Sequence, residues 1–206
     1  MADGVVDAVI ACAGIAAPIA KTISINYFGV TEFVTALLPA LAQSDAPRAA
    51  VVSSMASLQA NSPELVAAAL SGDEDEAVRI AEEIAARGPE AGYAIYPSSK
   101  RALARWVRRE SITDAWAGAG IPLNAVGPGT VITPMTADLL ATPEGAAMVD
   151  SAVPMPLNYH QPAESIAAVL LWLTSVENSH MAGQVVYCDG GADATLRGDD
   201  IWSWND

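Results

Sequence analysis

Short apolar runs alternate along this 206-residue chain with longer stretches whose apolar residues recur every three or four positions. Runs of about four residues are too short for buried helices, and strands buried on both faces have no polar side to show. The alternation therefore specifies parallel strands joined by helical crossovers. Strands are expected at Ala8–Ala11, Ala50–Ser53, Leu123–Val126 and Gln184–Tyr187. Helices are expected at Ile23–Leu41, Pro63–Leu70, Asp73–Ala86, Pro97–Ala117 and Ala163–Thr174. The last opens after Gln161-Pro162, placing Pro162 near the first turn, where no backbone donor is required. The fold class that follows is α/β, read as one domain over residues 1–206.

Apolar residues make up 52% of the chain and charged residues only 17%, enough for one sizeable core. The net charge of -14 argues against nucleic acid and anionic membrane as partners, because phosphate surfaces reward clustered cations and only ten Lys and Arg are present. Five of those ten fall within Lys100–Arg109, which reads as one helix face rather than a binding stripe. Cys12 and Cys188 lie in apolar, strand-like contexts and are expected as reduced core thiols, consistent with a cytoplasmic protein. The Ala-rich run from Val5 to Ala20 follows Asp3 and Asp7 instead of the Lys or Arg that lead a secretory signal. No apolar run approaches the ~18 residues of a membrane span, the densest being Ile166 to Leu173. His160 and His180 are isolated and show no metal-ligand spacing, so no metal is expected.

The chemistry is concentrated in Tyr96-Pro97-Ser98-Ser99-Lys100, preceded by Ser53-Ser54 at the end of an apolar run. On a helix a spacing of four puts Tyr96 and Lys100 on one face. A phenol left alone titrates near ~10, and a neighbouring cation favours its anion, so Lys100 is expected to lower the Tyr96 pKa and make it a general acid and base. A Tyr-x-x-x-Lys string alone is weak, because a solvated Lys beside a half-buried Tyr gives the same pattern. Its company strengthens it: Ala11-Cys12-Ala13-Gly14 after the first strand, Asn26 within Ser24-Ile25-Asn26-Tyr27-Phe28-Gly29, Asn124-Ala125-Val126-Gly127-Pro128-Gly129-Thr130, Thr133-Pro134 and Asp189-Gly190-Gly191.

Taken in order, these motifs resemble the short-chain dehydrogenase/reductase family from about Asp7 to Ala194. The long gap between Ser54 and Tyr96 is most similar to its bacterial 3α-hydroxysteroid dehydrogenase/carbonyl reductase branch. The resemblance implies a Rossmann-like doubly wound parallel sheet, N-terminally truncated, with strands equivalent to 4-5-6-7 of the family's seven and the first of them an unprotected apolar edge. The family's Gly-rich pyrophosphate-binding turn does not precede Asp7, and the expectation is that it belongs to an upstream stretch of a longer protein.

By the same resemblance Tyr96 is the proton donor to a carbonyl and the base in alcohol oxidation, and stands with Lys100 among the cofactor-binding residues. Lys100 tunes it and holds the nicotinamide ribose, and Ser54, with Ser53 as runner-up, stabilises the substrate oxygen. Asn26, an oddity in mid-helix, would carry a water-mediated relay to Lys100, the alternative being a capping or exposed Asn. Cys12, Ala13 and Gly14 would border the adenine ribose, and Pro128, Gly129, Val131 and Thr133 the nicotinamide carboxamide. Asp189-Gly190-Gly191 is read as structural. The implied cofactor is NAD(H) or NADP(H), with NAD(H) preferred, and the implied substrate a small hydrophobic alcohol or carbonyl compound such as a steroid or aromatic ketone.

The Met-rich stretch from Pro134 to Pro156 corresponds to the family's mobile substrate loop, with ordinary helix packing as the alternative. Residues 61–92 form a helical insertion, serving either a symmetric homodimer or a hairpin packed on its own chain. Trp202 and Trp204 would anchor the tail, the alternatives being to close over a pocket or seal a dimer. The alternative to an active oxidoreductase is a catalytically inactive relative retained as a binding or regulatory subunit.

Overall fold

The computed structural model describes residues 4–157 and 159–203; Asp3 and Trp204, both used in the sequence reading, lie outside them. Four parallel strands form the central sheet in the order β1-β2-β3-β6, with β1 at Ala8–Ala11, β2 at Arg48–Val52, β3 at Leu123–Pro128 and β6 at Val185–Cys188. The register runs Ala8 beside Arg48, Ala49 beside Leu123 and Ala125 beside Val185. A separate pair of two-residue strands, β4 (Val131–Ile132) and β5 (Gln161–Pro162), was not expected; it pins the segment after β3 to the start of a helix.

Helices cover both faces, as parallel strands require. On one side Ala49, Val51, Leu123 and Ala125 pack with Ile23, Val34, Leu103, Val107 and Trp116. On the other, Ala50 and Val126 meet Ile166, Leu170 and Leu173 of the Ala163–Leu173 helix. Successive residues of β2 and β3 thus point into opposite clusters, which is why those strands read as unbroken apolar runs. β1 is one edge of the sheet, and Ile10 on it remains exposed while Val9 and Ala11 are buried.

The helices differ from expectation at informative places. Lys21–Leu41 is helical over 21 residues, long and apolar enough to cross a membrane by length and composition, but its apolar side, Ile23, Tyr27, Phe28, Val34 and Leu41, is buried in the protein core. Within it Ser24–Phe28 forms a π turn, and the helix restarts at Leu38-Pro39. The long helix expected over Pro97–Ala117 runs instead from Ile95 to Glu110, with a π turn at Asp114–Gly118 that buries Trp116 edge-on against Trp106. The insertion becomes the helices Pro63–Ser71 and Glu74–Ala86, capped by the side chains of Ser62 and Asp73. Their apolar faces, Leu65, Val66, Ala69, Ile80 and Ile84, are buried in the chain's own core, so the packed-hairpin alternative describes these faces.

Leu103 is fully buried between the sheet and the helical layer, so Leu103→Ala is expected to cost about 2–5 kcal/mol. Ile112→Ala, at an exposed side chain, is expected to stay within about 0.5 kcal/mol. Urea unfolding of the two variants reads both; an equal loss would contradict this placement of the core.

Candidate active site

Side chains with chemical capability gather where the strands end at their carboxyl termini, the crevice in which open α/β sheets place ligands. The segment after β1 brings Cys12 and Gly14, the end of β2 brings Ser53 and Ser54, the segment after β3 brings Pro128 to Thr133, and the Ile95–Glu110 helix lays Tyr96 and Lys100 across them. They line a cavity of about 390 Å³, within the range of small-molecule sites.

Lys100 is 4% exposed, and its Nζ donates to the Val52 carbonyl at 2.9 Å. Burial pulls its pKa down to about 8, with Cys12 working weakly the other way. Ser53 Oγ donates back to the Lys100 carbonyl at 3.0 Å, so Ser53 is committed to holding helix against strand. Ser54 lies in extended backbone and accepts from the Ala56 amide at 3.1 Å, opening the short turn Met55–Leu58, and it lines the same cavity as Tyr96. The two serines, indistinguishable by type, are separated by these partners.

Burial pushes the Tyr96 phenol above its ordinary value, and the Ser54 contact opposes this. The expected lowering by Lys100 is not found: its ammonium lies 5.8 Å from the ring centre, over the ring, and is bonded to Val52. In this arrangement desolvation outweighs the cation.

Asn26 sits inside the π turn, a helical irregularity that recurs at functional sites. It is neither a cap nor exposed. Its Oδ1 accepts from the Ile15 amide at 2.8 Å while its Nδ2 donates to the Ile15 carbonyl at 2.9 Å and to Ser99 Oγ at 3.1 Å. The side chain thereby clips the loop after β1 to the helix that carries Tyr96. Gly14 lies close against both groups: a Cβ there would stand a tight 3.1 Å from Asn26 Oδ1 and 3.5 Å from Lys100 Nζ. Gly129 similarly lets the chain approach Asp189, where a Cβ would lie 2.9 Å from backbone.

Of the residues singled out from sequence, Cys12, Gly14, Ser54, Tyr96, Lys100, Pro128, Gly129, Val131 and Thr133 all line the cavity, whereas Ala13 does not and Asn26 stands behind Gly14. Cys12 is exposed and Cys188 half-buried, so neither is the core thiol expected of it; both are free. Asp189 is structural, its carboxylate accepting from the amides of Gly191 and Asp193 to start the Ala192–Arg197 helix.

Ala163, Ile166, Ala167 and Leu170 form a wall that the sequence reading missed. Their three-and-four spacing was the available signal, but it also describes plain core packing. From the Met-rich stretch Met135 and Thr136 reach this cavity; Leu139 and Met148 face solvent on the short helices Ala137–Leu140 and Pro143–Ala152. The second of these is tied back by Gln59 donating to the Ala152 carbonyl and by His160 bonding Asp150 at 2.7 Å. Thr130 Oγ1 is buried beside the cavity wall with no partner among the described residues.

A lysine whose pKa falls from 10.5 unfolded to about 8 folded binds fewer protons in the native state between those values, so its contribution to stability rises with pH across that window. Wild type is therefore expected to gain stability relative to Lys100→Met as pH rises from about 8 to about 10. Paired urea titrations measure the difference, and a flat one would place Lys100 in a wetter setting than this.

Residues 74–193 match a family model described as enoyl-(acyl carrier protein) reductase. The 3-alpha-hydroxysteroid dehydrogenase/carbonyl reductase of Comamonas testosteroni is 34% identical over 196 residues, spanning 93% of this chain and 74% of that protein. The crystal structure of a 3-alpha-hydroxysteroid dehydrogenase from Pseudomonas sp. B-0831, complexed with NADH, superposes with a TM-score of 0.83 at 32% identity, covering 96% of this chain and 77% of the other. Levodione reductase, at 19% identity and a TM-score of 0.68 over 92% of this chain and 67% of its own, shares the fold.

Proposed function

The chain belongs to the short-chain dehydrogenase/reductase family, and on that premise we propose that it interconverts a secondary alcohol and a ketone on a hydrophobic substrate, such as a steroid or an aromatic carbonyl compound, with NAD(H) or NADP(H). The observation that carries this reading is the convergence of Ser54, Tyr96 and Lys100 on one largely apolar cavity. NAD(H) is the preferred form, supported by the NADH held in the structure of the Pseudomonas relative.

The residues present fit a nicotinamide cofactor. The side-chain-free space over Gly14 and the close backbone at Gly129 leave room along one wall. Cys12, Ala13 and Gly14 would border the adenine ribose, Lys100 the nicotinamide ribose, and Pro128, Gly129, Val131 and Thr133 the carboxamide. When bound, the cofactor supplies or takes the hydride at the substrate carbon.

Tyr96 donates its hydroxyl proton to the carbonyl oxygen during reduction and takes a proton from the alcohol during oxidation. Its raised pKa keeps the phenol protonated at neutral pH, the form reduction requires. Ser54 turns its hydroxyl to the same oxygen and stabilises the charge that develops there. Lys100 remains mostly an ammonium below about pH 8 and brings positive charge to the phenol ring. Asn26 positions the loop over Lys100 through Ile15, from where a bridging water can return protons. The protein is read as cytoplasmic and as a symmetric dimer, whose contact at 61–92 would use the outer surface of the insertion.

Reduction of a hydrophobic ketone, followed by NADH and NADPH absorbance, is the test. Tyr96→Phe removes one hydroxyl and is expected to lower turnover by about 10²-fold or more while leaving NADH affinity unchanged. Turnover that survives the substitution would take Tyr96 out of the chemistry.

A further inference from the structure

The Ile95–Glu110 helix carries a second line of cations pointing away from the catalytic cavity. Arg101, Arg105 and Arg108, at spacings of four and three, share one face and line a cavity of about 310 Å³ that Arg197 closes from the Ala192–Arg197 helix. Four of the ten Lys and Arg residues of a chain with net charge -14 thus surround one space, and no Asp or Glu among the described residues lines it.

Arg197 is paired with Asp193 and lies 5.4 Å from the centre of the Tyr187 ring. The other three make no ion pair among the described residues. Arg108 has only a long 3.4 Å bond to the Gly183 carbonyl, and the Arg101 Nε is buried with no partner among the described residues. A buried donor left unpaired costs free energy, and so does crowding three like charges, unless something supplies acceptors and negative charge there. Ser57 and Tyr187 bond each other at 2.8 Å within the same lining, which leaves one hydroxyl hydrogen of the pair free to donate.

We propose that this cavity binds an oxyanion of the phosphate class, either free or carried as a phosphomonoester on a small molecule. Three guanidinium forks and a hydroxyl offer more donors than the two oxygens of a carboxylate use, and planar forks match phosphate oxygens two at a time. Leu58 and Ile201 add an apolar rim suited to the organic part of an ester. The site shares no lining residue with the catalytic cavity, so it is distinct from any place the cofactor phosphates occupy there.

Calorimetric titration of the whole chain with inorganic phosphate, against chloride at matched ionic strength, is expected to give one saturable site with Kd at or below about 1 mM. Arg105→Gln combined with Arg108→Gln, both at exposed positions, should weaken binding about tenfold or more without moving the unfolding midpoint, whereas Arg109→Gln, outside the cavity, should leave it unchanged. Tighter binding of phenyl phosphate than of inorganic phosphate assigns the phosphomonoester; equal binding assigns the free ion. Absence of saturation by about 10 mM, or affinity that survives the double substitution, would overturn the proposal. So would a dimer, seen by light scattering, that the double variant breaks while neither protein binds phosphate, since the arginines would then hold a second copy.

Discussion

A reciprocal clasp between β2 and the Ile95–Glu110 helix holds the site together. The Lys100 ammonium donates to the carbonyl of Val52, and the Ser53 hydroxyl donates to the carbonyl of Lys100. Both bonds are sheltered, and in a low-dielectric setting each constrains the other's geometry. Because Val52, Ser53 and Ser54 are consecutive, fixing the first two delivers the third to the Tyr96 phenol. Charge burial is the cost of this arrangement, visible in the depressed lysine and the raised phenol.

Most of the frame was legible because its signals are local. Apolar runs bounded by polar turns gave the four main strands to within two residues at either end, and the helices expected from Pro63 and Asp73 start within one residue of those positions. What escaped was non-local. Nothing in Ser24–Phe28 announces a π turn, which follows from Asn26 reaching the Ile15 backbone. The sign of the Tyr96 shift depends on how much protein surrounds the ring, which spacing along a helix does not reveal. Ala163, Ile166, Ala167 and Leu170 fit a core stripe equally well, and only the crossing of that helix over β3 makes them a cavity wall.

The charge pattern teaches a similar lesson. Five cations between Lys100 and Arg109 look like one solvated face, yet they part three ways around the helix. Lys100 turns inward to the catalytic cavity, Arg109 reaches the Leu70 carbonyl, and the remaining three share the second cavity. One helix thus serves two electrostatic environments, because side chains three or four apart share a face while immediate sequence neighbours do not.

The Met55–Leu58 turn is a party wall. It starts at Ser54, which faces the phenol, and carries Ser57, which holds Tyr187 on the arginine side, while the Tyr187 ring presses against Gly127 so closely that a Cβ there would lie 2.6 Å away. Two rooms divided by a single short turn cannot be furnished independently. Any substitution that thickens or tilts this partition is felt by both occupants at once, which restricts the residues the turn accepts far more than its modest length suggests.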